Sequence, residues 1–199
     1  VGLSQGFIEP LEATALHLVQ ETVENFIQAW SAGGFGNTHQ DAFNANINEP
    51  LVRRNRQLQV EPALAALREQ ASPTVWRFHL RPDVRFQDGT PFTAEDVVFS
   101  ITRARAQGSN IAGSLAAVKE ARAIDPLTVD IETNQPNPIF LEEITGVAMM
   151  SRRWAEANNA VRSADLTTRE ENFATRNAMG TGPFRLVSRE PDRRTVLAH

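Results

Sequence analysis

The run Trp76–Val98, WRFHLRPDVRFQDGTPFTAEDVV, decides how this chain is to be folded. Trp76, Phe78 and Leu80 alternate with Arg77, His79 and Arg81, the period of two that a strand shows when one face is buried and the other is wet. Asp88-Gly89 supplies the positive φ of a tight reversal, and Pro91 presets the chain before Thr93. Thr93 can cap a helix whose third residue, Asp96, answers it in a capping box, while Val97, Val98 and Ile101 give that helix an apolar side. The run is therefore a strand, a turn and a capped helix.

Working outward, Val118–Ile124 and Leu127–Thr133 flank Asp125-Pro126 and read as a hairpin, with Val129 and Ile131 alternating against Asp130 and Glu132. Gly108-Ser109-Asn110 opens a loop that leads into a short helix or loop through Leu115. Asn134-Gln135-Pro136-Asn137-Pro138 breaks the pattern after the hairpin, and a short helix follows over Ile139–Ile144. An apolar stretch at Val147–Met150 leads to a helical region around Trp154–Phe173. A last hairpin joins Phe184–Val187 to Arg194–Leu197 across Pro191-Asp192. This mixture is an α+β arrangement.

The chain has 199 residues, 41% of them hydrophobic, enough for one sizeable core or two small ones. Its net charge of −4 gives no basic surface for nucleic acid or an anionic membrane. All but one of the 20 basic residues are arginine, the exception being Lys119. The absence of cysteine excludes disulfides, thiolate nucleophiles and cysteine-ligated metals without fixing a compartment. Val1-Gly2-Leu3-Ser4 does not open a signal peptide, so an export signal is expected to be missing from this chain. No segment approaches the roughly 18 apolar residues of a membrane span.

The run Trp76–Val98 resembles the signature region of the family 5 extracellular solute-binding proteins, which capture peptides, nickel or oligosaccharides for bacterial ABC importers. Asn48-Glu49-Pro50-Leu51-Val52 and Val60-Glu61-Pro62-Ala63-Leu64-Ala65 upstream, and Gly180-Thr181-Gly182-Pro183-Phe184-Arg185-Leu186 downstream, look like further landmarks of that family in the expected order. The resemblance covers residues 46–199. It implies a type II periplasmic-binding-protein-like fold in which two lobes close over a ligand, of which this chain would supply part of one lobe and leave the high-affinity site incomplete. It also implies a periplasmic or extracellular location and a permease partner.

Asn46, Asn48 and Glu49 would then stand near the cleft as ligand-binding residues, with a purely structural role in a turn as the competing reading. Arg53, Arg54 and Arg56 could attract an anion, or form a solvated strand edge. Trp76 is expected in the core, and Trp154 is open between core and ligand. His17, His39, His79 and His199 show no metal-ligand spacing, His79 faces the polar side of its strand, and Glu142-Glu143 is expected on a helix surface. No metal site and no cofactor are expected.

The first forty residues differ. Leu16, Val19, Val23, Phe26, Ile27 and Trp30 share a face of an amphipathic helix predicted over residues 9–30, ended by Ser31-Ala32-Gly33-Gly34. The stretch Gly2–Ala15, GLSQGFIEPLEATA, resembles the segment of flavin-dependent tryptophan halogenases that carries their active-site glutamate and a halide-contacting threonine. The resemblance continues through Asp41-Ala42-Phe43-Asn44, and implies Glu12 and Thr14 in those roles. Ala13 and Ala15 depart from the serine and glycine usual there, no G-x-G-x-x-G follows a strand, and the only lysine, Lys119, lies in the other part. Residues 1–45 are thus expected to be a halogenase-like helical segment without catalysis, ahead of a partial solute-binding lobe over 46–199. The expected function is capture of a small peptide or similar solute for an ABC importer, in truncated or fused form. A non-functional or residual fragment of a flavin-dependent tryptophan halogenase is the alternative.

Overall fold

The computed structural model describes residues 46–165, 170–190 and 194–198, which belong to one compact unit, Asn44–His199. The predicted helix over residues 9–30, and Glu12 and Thr14 with it, lie outside the described residues, as does the Pro191-Asp192 turn.

The strands are β1 (Val52–Arg54), β2 (Val60–Pro62), β3 (Ala65–Ser72), β4 (Val75–Leu80), β5 (Val118–Asp125), β6 (Thr128–Thr133), β7 (Arg185–Glu190) and β8 (Arg194–Ala198). The α-helices are α1 (Ala94–Arg105), α2 (Phe140–Glu143), α3 (Arg152–Ala157) and α4 (Phe173–Arg176). Single 3₁₀ turns cover Ala112–Leu115 and Ile144–Gly146. The centre is a four-stranded sheet in the order β3-β4-β6-β5, antiparallel throughout. β1 pairs with β2, and β7 with β8, as separate two-stranded ribbons.

The predicted alternation in β4 is present. Phe78 and Leu80 are buried and Trp76 packs on the same core, its ring 6.3 Å from that of Phe140, while Arg77 and His79 face outward. Phe78 stands opposite Val129 and Trp76 opposite Ile131, so the two central strands put matching apolar pairs on one face. Helix α1 packs against β5 and β6 and closes this side with Ala94, Val97, Ile101 and Ala104. Its start is the predicted capping box: the Thr93 amide and hydroxyl both donate to Asp96 Oδ2, at 3.0 and 2.9 Å. Asp96 Oδ1 accepts from the Arg152 amide at 2.9 Å, so one buried carboxylate joins the first turns of α1 and α3.

The outer face carries charges in rows. Glu69, Arg77, Asp130 and Arg122 lie opposite one another across the four strands. Arg77 grips Asp130 with two parallel bonds, Nε to Oδ1 at 2.7 Å and Nη2 to Oδ2 at 2.8 Å. The hydrogen bonds to Asp130, then the charges of Asp130, Glu69 and Asp125, hold that guanidinium above its ordinary pKa against the opposing effect of burial. Asp130 is thereby almost wholly covered although it points away from the core.

In the next row Lys119 Nζ donates to Glu132 Oε1 at 2.8 Å, and this bond is the first cause of the lowered Glu132 pKa. A carboxylate depressed on folding contributes stability that is complete above its unfolded pKa and is lost as the pH falls through the folded value. Glu132→Gln is expected to lower stability near neutrality, where the carboxylate contributes in full, and to flatten the acid limb below the usual glutamate range, so that the two chains converge at low pH. Denaturant unfolding of both chains at a series of pH values from 6 downward checks this, and identical acid limbs would refute it.

One sequence expectation needs correction, and one strand carries no expectation at all. The region around Trp154–Phe173 is not one helix. α3 ends at Ala157, and Asn159 adopts a left-handed φ of 52°, a conformation that stops the helical path. A separate short helix starts at Phe173, capped by Asn172. The strand β3, Ala65–Ser72, lacks a readable period because Leu67 is exposed, and Arg68 and Gln70 occupy the side that Phe78 and Trp76 make apolar. Arg68 reaches past the edge to donate to the Val60 carbonyl at 3.2 Å.

Candidate functional site

Three stretches far apart in sequence meet at a polar junction: Asn46–Pro50, the turn after β4, and Gly180–Phe184. The turn is held by its own chemistry. The Phe86 amide donates to the Thr90 carbonyl and the Gly89 amide to the Phe86 carbonyl, both at 2.8 Å, and Gly89 takes the predicted positive φ, 83°. Asp88 Oδ1 accepts from the Thr90 amide at 2.9 Å and its hydroxyl at 2.6 Å. Burial raises the Asp88 pKa, but these bonds more than offset it, so the carboxyl titrates below its ordinary value. Phe86 and Phe92 anchor the turn beneath, in an edge-to-face contact at 5.8 Å.

The turn delivers Gln87 to the junction. Its backbone amide donates to the Gly180 carbonyl at 3.1 Å. Its side-chain Nε2 donates toward three carbonyls, those of Phe184 at 2.6 Å, Gly182 at 3.2 Å and Ile47 at 3.3 Å. The other two stretches also bond directly: the Gly182 amide donates to the Ile47 carbonyl at 2.8 Å and the Phe184 amide to the Asn46 carbonyl at 3.2 Å. A side chain on either glycine would collide with this arrangement. A Cβ at Gly180 would lie 1.9 Å from the Ile47 carbonyl oxygen, and one at Gly182 2.6 Å from that of Asn46.

The sequence-predicted residues are brought together here. Asn46 contributes its carbonyl to the Phe184 amide, Asn48 places Oδ1 beside Gly180, and Glu49 accepts at Oε2 from the Thr181 hydroxyl at 3.0 Å. The Glu49 carbonyl accepts from the Met149 amide at 3.0 Å, and Pro50 bridges to Ala148. All of Asn46, Asn48 and Glu49 are partly exposed around the fully buried Ile47. Amide and carboxylate groups held on a rigid backbone can accept from or donate to a polar solute. Gln87 and Thr181 were not singled out in the sequence. A glutamine in a turn gives no local signal, although two glycines in Gly180-Thr181-Gly182 are compatible with close backbone approach.

The other candidates stand elsewhere. Arg53 pairs with Glu61 across the β1–β2 ribbon, Nε to Oε1 at 2.7 Å, and Arg54 is exposed on the same edge. Trp154 lies half-buried against Phe173, ring centres 5.6 Å apart. His79 lies on the outer face, Nδ1 3.4 Å from the Thr128 hydroxyl and Nε2 3.5 Å from Glu69. Glu142 is exposed, and Glu143 accepts from the Asn137 side chain at 2.7 Å. Among the described residues no group of three histidine or acidic side chains could hold a metal ion, and no helix is long and apolar enough to cross a membrane.

The model of the bacterial extracellular solute-binding proteins, family 5, matches residues 59–199. The chain belongs to this family. Family 5 proteins are periplasmic or extracellular transport components rather than enzymes. The tryptophan halogenase model matches residues 1–58. The described part of that second match, from Asn46 on, nevertheless packs within the solute-binding fold, where Leu51 and Val52 are fully buried and β1 pairs with β2.

Two solved structures of similar fold are NikZ from Campylobacter jejuni in complex with Ni(L-His) and OppA from Burkholderia pseudomallei. NikZ is 26% identical with a TM-score of 0.63, over 73% of this chain and 28% of that one. OppA is 27% identical with a TM-score of 0.62, over 77% and 32%. The HTH-type transcriptional regulator SgrR of Salmonella choleraesuis is 28% identical over 156 residues, 76% of this chain and 25% of the regulator. The chain thus spans about a quarter of that curated relative and under a third of NikZ, which agrees with the expected partial lobe of a periplasmic-binding-protein-like fold.

Proposed function

We propose that residues 46–199 form a solute-binding module of an ABC-type importer that takes a small peptide or a similar solute, with Asn46, Asn48 and Glu49 as its polar contacts. The observation that carries this reading is the convergence of those three residues with the turn after β4 and Gly180–Phe184 on one partly exposed junction. The module works without a cofactor, outside the cytoplasm, and with a permease as its membrane partner. Residues 1–45 are a halogenase-derived segment fused to it, and Glu12 and Thr14 have no catalytic task there.

Nickel–histidine is a second ligand class, favoured by the likeness to NikZ in complex with Ni(L-His). A bound amino acid and a short peptide share the amino and carboxylate groups that amides and carboxylates recognise. Thermal unfolding with tri-alanine, with nickel–histidine, and with flavin plus tryptophan separates the readings. A ligand selective for the folded state at about 100 times its Kd adds roughly 2.7 kcal/mol, which raises Tm by several degrees in a chain of this size. A shift with tri-alanine supports the peptide reading, and one with nickel–histidine alone replaces it. A shift with flavin supports a residual halogenase, and no shift with any of them sinks the solute-binding proposal.

A further inference from the structure

We infer that Gln87 is a positioning residue for the proposed solute site: it sets the place of Asn46 and Asn48 without itself meeting the solute. The inference rests on the solute-binding reading of that junction. A carboxamide nitrogen has two N–H groups, and here they serve three carbonyls from two stretches more than 130 residues apart in sequence, Ile47 on one side and Gly182 and Phe184 on the other. The 2.6 Å bond to Phe184 dominates, and the two longer ones share the remaining donor capacity.

Each of these carbonyls belongs to a residue engaged in the direct pairing of the two stretches. Ile47 accepts from Gly182, and Phe184 donates to Asn46. Gln87 therefore spans the pairing from the side and fixes its separation. Gln87 Oε1 completes the contact at the Gly180 amide, 3.5 Å away, next to the glycine that Asn48 Oδ1 approaches. Both candidate asparagines flank Ile47, so a shift of the Ile47 carbonyl moves both. The turn that carries Gln87 is braced independently by Asp88, Thr90, Phe86 and Phe92, so the amide arrives on a rigid support.

Gln87→Glu keeps the size of the side chain and replaces the donor by a carboxylate facing three carbonyl oxygens. The test is amide hydrogen exchange of the parent chain and this variant, together with the Kd for tri-alanine. At least tenfold faster exchange is expected at Gly182 and Phe184, with β4 and β6 amides unchanged, and a Kd at least tenfold weaker. Unchanged exchange at Gly182 and Phe184 overturns the inference whether or not any solute binds. Faster exchange throughout the β4–β6 ladder also overturns it, since the residue would then act on the whole fold. Local loss of protection with an unaltered Kd removes the link to the solute. If the parent binds no tri-alanine, the peptide reading fails, and the link to this solute fails with it, while the exchange data still decide whether Gln87 orders the junction.

Discussion

Gly180→Ala is expected to destabilise the fold by about 3 kcal/mol or more, at the upper end of overpacking substitutions. The reason is space rather than backbone conformation. The added methyl would lie 1.9 Å from the Ile47 carbonyl oxygen, 2.7 Å from its carbon and 2.5 Å from Asn48 Oδ1. Two of these atoms are backbone and cannot rotate away. Ile47 is itself fully buried, so the two stretches must separate, which weakens the bond from the Gly182 amide to Ile47 and the clasp of Gln87. Equilibrium urea unfolding measures the loss. A change under about 0.5 kcal/mol, the scale of an ordinary surface substitution, would show that Gly180 does not lie against Ile47.

Phe78→Ala is expected to cost about 4 kcal/mol, or a drop in Tm of roughly 10 °C. Phe78 is fully buried in a central strand and stands opposite Val129, itself fully buried, on the inner face of β6. Removing the ring leaves a cavity bordered by two hydrogen-bonded strands that cannot collapse into it without breaking the sheet register. Phe78→Leu should recover more than half of the loss by refilling most of that volume. Thermal and urea unfolding of both variants decide the matter, and equal stability of the alanine and leucine chains would contradict a packed core at this position.

Much of the fold could be read from the sequence, and the boundary between what could and could not follows physical lines. The strand β4, the turn at Asp88-Gly89, the Thr93–Asp96 box and the β5–β6 hairpin are local features, each specified within a few consecutive residues by period, turn chemistry or capping. β3 escaped because an edge strand is not obliged to show a period: Arg68 can sit on the apolar side and run its guanidinium out past the edge to Val60. The helical reading of 154–173 failed because polar residues satisfy a loop as readily as the wet face of a helix, and the stop at Asn158-Asn159 is set by backbone geometry. The junction was half legible. Asn46, Asn48 and Glu49 stood out through their neighbours in sequence, whereas Gln87 and Thr181 derive their roles from partners found only after folding.

The central sheet also differs between its middle and its margins. The β4–β6 pairing runs in unbroken register from Val75 to His79, whereas the outer strands slip twice each: β3 between Ala65 and Leu67 and between Gln70 and Ser72, β5 between Val118 and Glu120 and between Ala123 and Asp125. A bulge twists a strand and leaves a residue out of the ladder, so its free side offers donors and acceptors at uneven intervals. Another chain adding itself along either margin would find no continuous row to match, and it would meet Glu69, Arg122 and their charged neighbours while trying. Among the described residues the sheet has four strands, and both of its margins are uneven and charged, which disfavours edge-to-edge addition of a further chain.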